Sequence, residues 1–133
     1  MDGRDFLAIS DRYKSSIVEA ERRTSIGRAY YALFNFLIRT LARHGVVFHR
    51  ATQDHAQLTK YLDWSNHSKA QHVGQILRDL RNVRNDSDYE MSKEVGQKSS
   101  EFTNSKAHLA IKLLESIPAD QLAVIAQRIN ART

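Results

Sequence analysis

SIGRAYYALFNFLIRTL, residues Ser25 to Leu41, has the period of a helix and none of the alternation of a strand. Ile26, Tyr30, Leu33, Phe34, Leu37 and Leu41 recur at steps of three and four, which places them on one helix face. Phe36 and Ile38 add apolar surface on other faces. A helix with more than one apolar side lies at the centre of a core, or between a core and a second subunit. Thr24 or Ser25 offers an N-cap hydroxyl. Gly45, after Arg43 and His44, offers a C′ residue free to adopt left-handed backbone.

The same period extends in both directions. Phe6, Ile9, Tyr13 and Ile17 form one face of an expected helix from about Arg4 to Glu21. After Gly45, a short helix is expected over about Gln53 to Leu62, with a loop from Asp63 to His67. A further helix starts near Ser68 and carries Val73, Ile76, Leu77, Leu80 and Val83. The next covers about Ser92 to Ile117. Its second half is strongly apolar, and its polar first half is expected to fray or stand apart. Pro118 ends it, and PADQ starts a last helix bearing Leu122, Ile125 and Ile129. The expectation is all-α: an up-and-down bundle of four main helices plus short extra ones. Residues 1–117 form the bundle, and 118–133 a short C-terminal helix packed on it or on a partner.

Composition supports this reading. One proline and five glycines in 133 residues favour long helices over short strands with frequent turns. The absence of cysteine excludes disulfides and thiolate metal sites, and fits a reducing compartment. The N-terminus has no signal-like apolar stretch and no run is long enough to span a membrane, so a soluble, cytoplasmic protein is expected. Six histidines include the pairs His44/His49 and His67/His72, but each pair is five apart, not four. No metal and no cofactor are expected. Net charge is +5, and residues 1–50 hold nine Lys or Arg against five acids. That balance favours polyanions without demanding them.

The stretch LRNVRNDSDY, Leu80 to Tyr89, carries the densest polarity. Arg81, Arg84, Asn85 and Asp88 share one helical arc of about 100°. Arg84 also follows Leu80 by four and Leu77 by seven, so it leans toward the apolar side. A half-buried guanidinium needs acceptors. Two readings follow: a polar network that fixes packing or dimer register, or an anion site in which the planar arginine fork meets phosphate. Arg28 has the same two readings. It pairs with an acid such as Asp88 while Tyr30 packs in the core, or it lines one groove with Arg84. Tyr31, about 100° round from Tyr30, would then stack on a partner or a base.

Ser25 to Leu41 resembles the second-helix pattern S-x-x-R-A-Y-Y-A-x-F of HEPN domains, and Leu80 to Tyr89 resembles their L-R-x-x-R-N-x-x-D-Y motif. The polar segment His55 to Leu62 also fits, and the resemblance covers about residues 5–117. It implies a helical bundle that commonly dimerises. Many such proteins are metal-independent ribonucleases or toxins. Others are non-catalytic RNA- or nucleotide-binding modules, and several stand beside a minimal nucleotidyltransferase antitoxin. The resemblance thus implies a homodimer in a toxin–antitoxin or defence system, with RNA or a nucleotide as ligand and a nucleotidyltransferase as partner.

Catalytic members carry Arg, a polar neighbour, and His four to six residues on. Arg84-Asn85 matches the start, but Asp86 to Met91 contains no His. That departure removes the usual general acid or base. The remaining catalytic candidates are Arg84, Asp88 and Tyr89, with His55 a possible imidazole from elsewhere in the fold. Tyr89 also lies near where a tyrosine accepts nucleotides in some antitoxin pairs, at a different spacing. The binding candidates are Arg81, Arg84, Asn85, Arg28 and Tyr31. Without cleavage, the chain is either a binding module or a structural dimerisation adaptor.

Overall fold

A computed structural model describes residues 2–48, 55–89 (side chains to Asp86) and 96–133. These residues form an all-α bundle with no strand. Its helices are α1 (Gly3–Tyr13), α2 (Glu19–Arg43), α3 (His55–Trp64), α4 (Ser68–Tyr89), α5 (Gln97–Glu115) and α6 (Ala119–Asn130).

α2 is the central element and packs against α1, α4 and α5. Its Leu33, Leu37 and Leu41 are buried with Leu58 and Leu62 of α3 and with Ile76, Leu77 and Leu80 of α4. Leu122, Ile125 and Ile129 of α6 belong to the same core, so the C-terminal helix packs on the bundle. Two further contacts fasten the C-terminal segment to the end of α3 and the residue after it. Arg128 Nη1 donates to the Ser65 carbonyl at 2.9 Å, and the Arg132 guanidinium lies 4.7 Å from the centre of the Trp64 ring. The α2 C-terminus follows the sequence expectation. Gly45 has φ +101°, the Val46 N–H donates to Leu41 O at 3.0 Å, and the Gly45 N–H donates to Ala42 O at 3.1 Å.

The first interhelix connection departs from expectation. α1 ends at Tyr13, and α2 begins at Glu19, ahead of Thr24. The cause is Ser16. Its hydroxyl oxygen accepts from the Val18 N–H at 3.0 Å and its O–H donates to Glu21 at 2.6 Å, while Arg22 Nη1 donates to its carbonyl at 2.9 Å. Such local serine bonding competes with the helical ladder. Ile17, expected on the inner stripe of α1, is 89% exposed.

The fully buried residues of α1 are Gly3 and Ser10; Phe6, Ile9 and Tyr13 of the expected stripe are half-buried, as is Leu7. A Cβ on Gly3 would lie 2.9 Å from the Ala32 carbonyl oxygen, so the two helices approach closer than larger side chains allow.

α5 is a continuous helix from Gln97, and its polar half does not fray. Ser100, Thr103 and Asn104 are buried. The Ser100 hydroxyl donates to the Lys14 carbonyl, and Asn104 Nδ2 donates to Ser10 Oγ at 3.0 Å and to Asp11 at 2.8 Å. These polar residues face the polar inner side of α1. α3, in turn, runs on through Trp64 into the segment read as a loop. Residues 90–95, where the sequence places the start of α5, lie outside the described residues.

Candidate functional site

Consecutive residues on a helix point about 100° apart, so Tyr30 and Tyr31 of α2 serve different surroundings. Tyr30 turns into the core and is buried, whereas Tyr31 is half-buried. Their rings meet edge to face at 5.4 Å. Arg84, near the end of α4, lays its guanidinium against both, 4.8 Å from the Tyr31 ring centre and 5.4 Å from that of Tyr30. Phe6 of α1 continues this aromatic bed, 6.0 Å from Tyr31, and carries the Arg28 guanidinium at 5.6 Å.

This arrangement matters electrostatically. A ring face attracts a cation through its quadrupole and orients it without neutralising its charge. Among the described residues no carboxylate forms an ion pair with Arg28, and its buried Nε has no hydrogen-bond acceptor. The acid that the sequence offers Arg28 is Asp88, whose side chain falls outside what is described. The side chains of Asp88 and Tyr89, two of the catalytic candidates, lie outside the described residues.

Arg28, Arg84 and Tyr31 line one cleft of about 240 Å³, together with Arg23, Thr24 and Gly27. Three guanidiniums therefore converge on it. Arg23 is held by Glu19 one turn earlier, at 2.8 Å. Arg81 is exposed on the preceding turn of α4, and Asn85 is half-buried beside Arg84; neither lines the cleft. Thus Arg28, Tyr31 and Arg84 are brought together, and Arg81 and Asn85 are not. Arg23 was missed because α2 was expected to start only at Thr24. Its spacing of five residues from Arg28 gives no sign of convergence by itself.

His55 approaches the same aromatic bed from α3. Its Nδ1 lies 3.0 Å from the Tyr30 hydroxyl, and the two rings are 5.9 Å apart. Behind Arg84, a buried tyrosine thus links the cleft to an imidazole. Among the described residues, no three His, Asp or Glu side chains cluster as metal ligands would, and no helix is long and apolar enough to cross a membrane. No protein-family model, curated protein or solved structure matches the chain, so the functional reading rests on this cleft and on the two sequence motifs.

Proposed function

We propose that this chain is a HEPN-like RNA- or nucleotide-binding module that works as a homodimer with a nucleotidyltransferase partner, in a toxin–antitoxin or defence system. The observation that carries the binding reading is the Arg28–Arg84 pair seated on Phe6, Tyr30 and Tyr31 at the mouth of the cleft. A phosphate there would receive planar, bidentate donors, including the buried Arg28 Nε. Tyr31 offers a half-exposed ring for a neighbouring base. The two-sided α2, whose Phe34 and Ile38 are only partly buried, supports the homodimer reading.

Cleavage is the second reading, and His55 favours it. An imidazole in contact with Tyr30 is placed on the same aromatic bed as Arg84, although the motif itself lacks a histidine. The test is to incubate wild type and Arg84→Ala with labelled structured RNA in EDTA, scoring retained complex and products. Retention by wild type, weakened about tenfold or more in a folded Arg84→Ala protein, is expected for loss of charge-assisted bonds. Equal binding by both proteins would remove the cleft from the proposal. Cleavage lost in both Arg84→Ala and His55→Ala would make the chain a nuclease. Loss of the fold or of the dimer in Arg84→Ala, seen by melting and mass measurement, would identify a structural adaptor instead.

A further inference from the structure

A second concavity lies at the other end of α2. Arg39 follows Arg28 by eleven residues, about 16 Å along the helix axis. Here the N-terminus of α1, the last turns of α2 and the end of α5 enclose a cleft of about 420 Å³. Arg4, Arg39, Arg43 and His44 supply its cationic side. Arg4 and Arg43 make no ion pair among the described residues, and Arg39 reaches Asp2 only at 4.0 Å. The Asp2 carboxylate is already occupied as the cap of α1, accepting from the Arg4 N–H at 2.9 Å and the Asp5 N–H at 3.1 Å. Glu115 is the other acid at this cleft, and it too has no ion-pair partner among the described residues.

The cleft does not end there. A neighbouring hollow of about 300 Å³ shares Gly3, Arg4, Phe36 and Glu115 with it, and continues over Leu7 and Ile111. The first is cationic; the second exposes mostly apolar surface, with Lys112 and His108 at its edge. The close α1–α2 approach at Gly3 leaves Phe36 as the shared wall between them.

We infer that the two hollows form one binding site for a small amphipathic organic anion, its carboxylate or phosphate head on Arg39 and Arg43 and its apolar body over Phe36, Leu7 and Ile111. The charge of the rim calls for the head, and the apolar continuation calls for the body. Neither inorganic phosphate nor an uncharged chain satisfies both. This site is independent of the Arg84 cleft and stands whether or not RNA binds there.

Titration calorimetry on the full chain tests it with octyl phosphate, octanoate, octanol and inorganic phosphate. Octyl phosphate and octanoate are expected to bind with one site per chain, and octanol and inorganic phosphate to bind at least about tenfold more weakly, since a charge-assisted contact and apolar burial are each worth roughly that factor. Arg39→Gln/Arg43→Gln, both exposed positions, should lose about tenfold in octyl phosphate affinity without loss of helicity. Glu115→Gln should tighten binding by about two- to threefold, because it removes a like charge near the head. Lys98→Gln, at an exposed position that lines neither this site nor the Arg84 cleft, should leave binding unchanged. Octanol binding as well as octanoate, no response to the double substitution, or an equal loss in Lys98→Gln would each overturn the inference, as would no heat from any of the four probes.

Discussion

At position 84, arginine and lysine are not equivalent. The guanidinium lies against two tyrosine rings, which a planar delocalised cation does better than an ammonium. Arg84→Lys keeps the charge and loses both the stacking and the bidentate fork. RNA affinity should therefore fall to a level between wild type and Arg84→Ala, as measured by filter retention at fixed salt. Tyr31→Phe should bind as wild type, and Tyr31→Ala should not. An affinity of Arg84→Lys equal to wild type would show that charge alone matters. Helical spacing singles out Arg84, while Arg28 and Tyr31 stand out through the second-helix motif that Ser25 to Leu41 resembles. The aromatic bed was not legible, because Phe6 comes from α1 and its ring had been assigned to a core stripe. Arg23 escaped for a related reason: a helix beginning at Thr24 would have left it outside.

Between elements, α1 and α5 meet through polar groups rather than through an apolar seam. Asn104 is buried and donates to both Ser10 and Asp11, and His108 Nε2 lies 2.7 Å from the same Asp11 oxygen. Partial burial raises the pKa of Asp11, but the hydrogen bonds from His108 and Asn104, helped by the nearby positive charge, outweigh it and leave the carboxyl below its ordinary range. A carboxyl whose folded pKa is depressed adds stability above its unfolded value, and that stability disappears as pH falls through the folded value. Asp11→Asn should therefore flatten the acid limb of a stability–pH profile followed by urea unfolding. Asn104→Ala should cost about 1–3 kcal/mol at neutral pH, since it strips Ser10 and Asp11 of a buried donor. A loss below about 0.5 kcal/mol would mean that Asn104 is not satisfied in this way. The polar half of α5 reads in sequence as a weak helix because periodicity counts only apolar residues. Here small polar residues do the packing, on a partner helix whose own inner face is Gly3 and Ser10. By contrast, the end of α2 was legible to the residue, because only glycine accommodates φ of +101° without strain.

Across the molecule, charge is distributed so that both clefts are cationic on a chain whose net charge is only +5. If Arg28 and Arg84 each displace one counterion from a single strand while Arg23 stays paired with Glu19, the logarithm of RNA affinity should fall against the logarithm of salt with a slope of about −1.4. Arg84→Ala should reduce that slope by about 0.7. A flat salt dependence would exclude phosphate contacts at the cleft. The all-α class was visible from the period of α2 alone, and α6 from Leu122, Ile125 and Ile129, which leave open whether it packs on the bundle or on a partner. What the sequence could not supply was convergence in space: which of twenty Lys and Arg side chains share a concavity.

Trp64 is the sole tryptophan, and it closes α3 with its ring 5.7 Å from that of Tyr61, beneath Arg132 from the C-terminal tail. The protein thereby carries its own optical probe at the seam between α3 and α6, with the Arg84 cleft walled by α2 and α4. Its emission will follow detachment of the last helix while remaining blind to ligand arriving at Arg84. One fluorescence trace can therefore tell an unlatched C-terminus from an occupied cleft, without a label being introduced.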